Sequence, residues 1–295
     1  MGSWEVMKIR GIPLRIHPSW LLVFLYFTLS AREQLETLLD GQASIFNGWF
    51  IGVLTSLLLF ISVLLHELAH SFVAMGEGLK VRDITLFFLG GMANLEKECS
   101  TSKGSLKIAI SGPIVSLSLA FLMILLSNML LESSLTLSNL FRQVGSLNFL
   151  IGVFNLLPII PLDGGVILKS LIWYFTGSKR AGIKVAIVSA RIISFLAILV
   201  GIIILIRGSF YIAFCFLIIG LFVFSSSKSQ SQIIQIQKIL SELEVNQVCS
   251  RSYRVLEDDL PIKVLSKYNS LNKVNVLNEE WILLCGEGRW VGYLT

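Results

Sequence analysis

The sequence predicts an all-α polytopic membrane protein with about six transmembrane helices, a short membrane-associated β segment and a small α/β fragment at its C-terminal end. Three observations carry that prediction. Of 295 residues, 54% are hydrophobic and 15% are charged, and the mean hydropathy is +0.77. A soluble domain has about 25% charged residues. The apolar residues also gather into long runs such as Ile108 to Leu131, which carries no charge. Such runs reach the roughly 20 residues needed to cross a hydrocarbon core. Finally, the composition turns polar and charged after Lys228. The same values exclude a disordered chain. The net charge of +5 is small and scattered, so no nucleic-acid partner is expected. Cys99, Cys215, Cys249 and Cys285 form no Cys-x-x-Cys pair, which argues against a cysteine zinc cluster or a disulfide framework.

The first span runs from about Ile16 to Ser30; it is short, and so tilted or partly interfacial. The second starts near Trp49 and passes Leu65, and the third is Ile108 to Leu131. The fourth starts near Val144 and is interrupted by Pro158, Pro161 and Gly164-Gly165. Val185 to Ile206, carrying Arg191, and Gly208 to Ser227 form the fifth and sixth, a tight hairpin around Arg207-Gly208. Between the second and third lies Thr85 to Leu95, apolar, aromatic and too short to span, which reads as a re-entrant hairpin or an edge strand. Lys8, Arg10, Arg15, Lys80, Arg82, Lys179, Arg180 and Lys228 fall on one side of this arrangement. Both termini are therefore expected in the cytoplasm. The expected location is a bacterial-type cell membrane or a thylakoid, and no cleavable signal peptide is expected.

Residues 1–228 thus read as the membrane domain. An amphipathic linker helix is expected over 229–247, where Ile233, Ile236, Ile239, Leu240 and Leu243 repeat at three and four residues. Over 248–295 a helix is expected at Leu260 to Tyr268. Strands are expected at Val274 to Leu277, Trp281 to Cys285 and Trp290 to Leu294.

Polar residues inside the apolar runs carry the chemistry, because a charge at the centre of a membrane helix costs about 2.5–3.5 kcal/mol on insertion scales. The second run ends in His66-Glu67-Leu68-Ala69-His70. Four residues turn a helix by about 400°, so both imidazoles share one face. His-Glu-x-x-His on a helix is a zinc-protease signature, with the glutamate as general base. A catalytic zinc needs a third protein ligand. The candidates are His17, the only other histidine, and Asp163, the one acidic residue of the broken fourth span. Irregular backbone at membrane depth is tolerated where protein buries it or where it lines a watery cavity. That favours Asp163.

The His66–His70 motif, together with Asn155-x-x-Pro158 and Leu162-Asp163-Gly164, resembles the site-2 protease family of intramembrane zinc metalloproteases. The match covers about residues 8 to 228. Gly11 to Trp20 resembles the start of the subgroup related to the sporulation-factor-processing protease of Bacillus. Phe88 to Ala93 and Ser111-Gly112-Pro113 resemble further family segments. The resemblance implies one Zn²⁺ per chain on His66, His70 and Asp163, with Glu67 as the base. It also implies a membrane-anchored regulatory protein as substrate. Two departures are visible, at Val166, where many members have a basic residue, and at Ser116, where many have Asn. Asn155 is a candidate donor to the substrate backbone or the developing oxyanion. Gly90 and Gly91 are candidates for holding an unwound substrate strand. Residues 248–295 resemble the first part of a cystathionine-β-synthase (CBS) motif. Only one partial motif is present, which speaks against adenine-nucleotide binding.

Two rival classes fit parts of the pattern. A metal transporter also places His and Asp in a membrane, but it shows internal repeats and several polar spans, and none are seen here. A catalytically inactive scaffold would have no need of Glu67.

Overall fold

The computed structural model describes residues 3–39, 45–88, 90–242, 254–257, 282–286 and 289–294. The chain opens with a hairpin, β1 (Trp4–Ile9) and β2 (Ile12–Ile16), joined by Arg10 and Gly11. Both turn residues have positive φ, 49° and 86°, the geometry that lets a two-residue turn follow the twist of its strands. Helix α1 (Trp20–Leu38) begins later than the apolar run suggests, because Ile16 is the last residue of β2 and Pro18-Ser19 form the turn. Helix α2 (Ile45–Gly76) carries the His-Glu-x-x-His motif, and β3 (Val81–Phe87) and β4 (Gly90–Leu95) follow it as a hairpin. The four strands form one sheet in the order β1-β2-β3-β4, with β2 and β3 parallel. The Thr85 to Leu95 segment is therefore both a hairpin and an edge strand. The N-terminal β1–β2 pair was not anticipated.

Helices α3 (Ser102–Leu130) and α4 (Leu135–Asn155) form an antiparallel pair. The fourth apolar run is then broken over 156–162 and resumes as α5 (Asp163–Thr176). Helices α6 (Lys179–Ile206) and α7 (Phe210–Glu242) turn tightly at Gly208, whose φ is 85°. Among the described residues four helices are long and apolar enough to cross a membrane: Phe46–Gly76, Ser102–Leu130, Lys179–Ile206 and Phe210–Gln232. Helix α1 falls outside that set because its second half carries Arg32, Glu33 and Glu36. Helix α4 is interspersed with Ser138, Asn139, Arg142, Gln143 and Asn148.

The chain divides into two units, 1–231 and 232–295. Helix α7 continues unbroken through the first part of the expected linker, to Glu242. In the second unit, β5 (Arg254–Glu257) pairs parallel with β6 (Ile282–Gly286), which pairs antiparallel with β7 (Arg289–Leu294). β6 and β7 answer to two of the expected strands. The expected helix at 260–268 and the strand at 274–277 lie outside the described residues.

The apolar surface of α2, α3, α6 and α7 is largely exposed, as at Phe50, Phe121, Phe195 and Phe214, the pattern expected of helices that cross a membrane. Contacts between helices use small residues, which is how helices associate when lipid removes the hydrophobic advantage of burial. A Cβ at Gly52 would lie 2.4 Å from the Thr28 carbonyl oxygen, so α1 and α2 touch backbone to backbone there. Beside that contact the Thr28 and Ser56 hydroxyls are paired at 2.9 Å, and Ser56 Oγ also donates to the Phe24 carbonyl. The sheet packs on α2 through Ile12, Leu14, Ile84 and Leu86 against Leu68, inside the motif itself.

Replacing Gly52 with Val should push α1 off α2 and cost roughly 1–3 kcal/mol, the range for an overpacked contact. Ser56→Ala should cost about 0.6 kcal/mol, typical of a hydrogen bond between membrane helices. Thermal unfolding in detergent reads both, and the larger loss is expected from the glycine.

Candidate metal centre

His66 and His70 lie one turn apart on α2 and turn the same way. Their Nε2 atoms are 3.2 Å apart. Asp163, the first residue of α5, brings Oδ2 to 3.2 Å from His66 Nε2 and 3.3 Å from His70 Nε2. Among the described residues these three form the group of side chains able to hold one metal ion. The triangle has the right size. An ion about 2.0–2.1 Å from three tetrahedral ligands sets them roughly 3.3–3.4 Å apart.

The chemistry of the donor set agrees. The Nδ1–H of His70 donates to the Ile108 carbonyl oxygen at 2.7 Å. A carbonyl can only accept, so the proton is on Nδ1 and Nε2 presents a lone pair. His66 Nδ1 pairs with the Ser116 hydroxyl at 2.8 Å; when the ring donates there, the hydroxyl accepts and His66 Nε2 presents a lone pair as well. Two imidazole nitrogens and a carboxylate oxygen then converge in a largely covered place, with His66 buried and His70 and Asp163 partly so. Three acceptors meeting in a low dielectric repel one another unless a cation lies between them. Partners of this kind behind the ligating histidines fix ring orientation and tautomer at metal sites.

Asp163 reaches this point because the chain breaks before it. Residues 156–162 fold back in short turns, with Leu162 N–H donating to Ile159 O at 2.7 Å. The α6 side chain Ser189 donates to the freed Pro158 carbonyl at 2.7 Å, and Ile159 and Ile160 are buried. Irregular backbone thus survives because protein covers it. A Cβ on Gly164 would lie 2.2 Å from the carbonyl oxygens of Leu156 and Leu157, so only glycine lets the break fold onto the start of α5.

Glu67 is 9% exposed and sits beside β4. A Cβ on Gly91 would come within 2.3 Å of Glu67 Cγ. Gly90, at φ 133°, occupies a conformation closed to other residues. His17 is elsewhere: its Nδ1 pairs with Ser19 at the start of α1. Asn155 is the half-buried last residue of α4, where the break begins. The buried asparagine between helices is Asn148, whose Nδ2 donates to Ser62, one turn before His66. Arg191 donates to Ser231 Oγ at 2.8 Å, between α6 and α7. Ile108 and Ser116 went unrecognised as partners of the histidines. The available signal was their spacing of about two helical turns within the charge-free run that starts at Ile108.

A model of the family described as peptidase family M50 matches residues 54–134 and 131–200. The Synechocystis protein sll0528, provisionally named a zinc metalloprotease, is 38% identical over 79% of this chain and 61% of its own length. Rip3 of Mycobacterium tuberculosis, named in the same provisional way, is 30% identical over 81% and 61%. Zinc metalloprotease MJ0392 of Methanocaldococcus jannaschii is 28% identical over 88% and 70%. The chain thus spans about three fifths of the length of the first two relatives.

Ser116→Ala should weaken metal binding by about 10–100-fold, the usual effect of removing a partner behind a ligating histidine. Ser116→Thr, which keeps the hydroxyl, should restore most of it. Ser62→Ala should leave it unchanged. Zinc titration against a competing chelator in detergent distinguishes the three variants.

Proposed function

The chain is an integral membrane protein of peptidase family M50, the site-2 proteases, and from that membership we propose that it is an intramembrane zinc metalloendopeptidase. The observation that carries the reading is a buried carboxylate, Glu67, next to a three-ligand cluster of metal-binding size. His66, His70 and Asp163 would hold one Zn²⁺. When bound, the zinc polarises the scissile carbonyl and lowers the pKa of water to about 7.

The chain's own residues supply the rest. Glu67 takes a proton from the attacking water and delivers it to the leaving amine nitrogen. Burial excludes bulk water and strengthens the pull of each charge on the reacting atoms. Asn155 is assigned as a donor to the substrate backbone or the oxyanion. A substrate helix keeps its carbonyls hydrogen-bonded, so it must unwind to be cut. Strand β4 ends the sheet order among the described residues and runs past Glu67. Pairing an unwound substrate with this edge, by strand addition, brings its backbone alongside the base. Gly90 and Gly91 keep that edge free of side chains.

The substrate class is a membrane-anchored regulatory protein, cut within or near its transmembrane segment. A topology of six spans with both termini in the cytoplasm follows from the basic loops. Helix α2, at 32 residues, is about 48 Å long against a hydrocarbon core of about 30 Å. Because His66 is nearer its C-terminal end, the site lies towards the cytoplasmic face. Residues 1–228 form the protease unit, 229–247 the linker and 248–295 a CBS-like cytoplasmic segment.

Glu67→Gln tests this reading. It should retain zinc and abolish cleavage. Membranes containing wild type and variant are compared by sequencing newly formed N-termini, and wild-type-specific termini should cluster within or beside apolar spans. Equal sets of termini would return the chain to the transporter or scaffold readings. Gly91→Val should displace the Glu67 side chain and cut cleavage by at least about tenfold, a loss of roughly 1.4 kcal/mol of transition-state stabilisation. Its zinc content should be unchanged, and parallel loss of zinc and cleavage would indicate misfolding instead.

A further inference from the structure

Gly112 lies on α3, directly behind the ligand triangle. A Cβ built on its backbone would lie 2.2 Å from His70 Nε2 and 2.6 Å from His66 Nε2. No carbon atom fits there, because non-bonded carbon contacts are optimal near 3.5–4.0 Å. Those short separations instead approach the roughly 2.0–2.1 Å between a zinc ion and its imidazole nitrogens. The missing side chain therefore leaves open the space on which both lone pairs converge.

Other glycines in the bundle have a different reason to be there. At Gly52 and Gly182 an added Cβ would strike a backbone carbonyl oxygen of the neighbouring helix at 2.4 and 2.2 Å. Those two glycines serve close helix packing. At Gly112 the three nearest atoms are all imidazole atoms. Its backbone is helical and its φ is not positive, so conformation makes no demand for glycine either. Glycine is a poor helix former, and alanine would suit α3 better in every respect except the space it fills.

The neighbours on the same face complete the pattern. Ile108, Gly112 and Ser116 follow at intervals of four residues, which lines them up along one side of α3. The Ile108 carbonyl holds His70 at Nδ1, and the Ser116 hydroxyl holds His66 at Nδ1. Between these two anchors is the void at Gly112. Neither imidazole can swing aside to admit a methyl group without giving up its anchor.

We propose that Gly112 is a metal-site residue: its lack of a side chain keeps open the compartment in which His66 and His70 bind the ion. The proposal rests on the metal-centre reading above. It makes α3, which supplies no ligand atom, the template that decides whether the ligands can meet a cation.

The test compares wild type, Gly112→Ala and Gly152→Ala in detergent. Gly152→Ala is the steric control, since its Cβ would meet Leu117 Cδ2 at 2.8 Å, on the α3–α4 contact. Zinc is titrated against a chromophoric chelator, and thermal unfolding is measured on the chelator-treated, metal-free proteins. Gly112→Ala should weaken zinc binding by about 100-fold or more, at or beyond the upper end of partner-removal effects. Its metal-free unfolding midpoint should equal or exceed that of metal-free wild type. Gly152→Ala should bind zinc as wild type does. Unchanged zinc affinity in Gly112→Ala overturns the proposal. A metal-free midpoint well below wild type also overturns it, because Gly112 would then serve packing. A wild type that takes up no zinc would instead refute the metal-centre reading itself.

Discussion

Three acceptor atoms that converge away from water depend on something positive between them. His66 Nε2, His70 Nε2 and Asp163 Oδ2 lie 3.2–3.3 Å apart. Each would be better solvated in water, and none has a proton to offer the others when both imidazoles are protonated at Nδ1. The surrounding structure answers to this convergence. Helix α2 presents two histidines on one face, and α3 turns a carbonyl, a void and a hydroxyl towards them. The chain between α4 and α5 breaks so that one carboxylate can arrive from the side.

Holding such a site within apolar helices requires packing of a particular kind. Large apolar side chains face outward, while glycine, serine and threonine fill the contacts. At Gly220 the approach of α7 to α6 is close enough for Ser194 Oγ to donate to its carbonyl at 2.8 Å. Asn148 and Ser62 join α4 to α2 one turn from His66. These contacts are short-range and directional. They fix the helices to within the tolerance that a ligand triangle needs, which greasy contacts between similar apolar surfaces would not do.

The sheet answers a different need. Its apolar face, with Ile12, Leu14, Ile84 and Leu86, seats on Leu68 of the motif, so β4 is carried past Glu67. The chain thereby sets an extended backbone edge beside the buried Glu67 carboxylate, in surroundings otherwise made of helices. Gly91 is the meeting point of the two, because any side chain there would occupy the place of Glu67.

Much of the site was legible because its signals are local. The spacing of His66 and His70 follows from helix pitch alone, and Asp163 stood out as the one acid in an interrupted apolar run. The hairpin at Gly208 and the strand character of Thr85 to Leu95 were read from turn residues and length. Other features depend on contacts between distant segments, which no local pattern encodes. The pairing of β2 with β3 was missed because the two parallel strands lie some 70 residues apart. Gly112 was visible only as part of the Ser111-Gly112-Pro113 segment and Ser116 only as a departure from a motif, since what they touch is set where α3 crosses α2. The sequence by itself determined which residue types could bind a metal and on which helical face two of them lie, because helix geometry repeats every 3.6 residues. Tertiary structure alone decided that Asp163 closes the triangle with the two histidines, that α3 leaves it open at Gly112, and that an edge strand passes Glu67. Those are distances between elements, and packing rather than periodicity sets them.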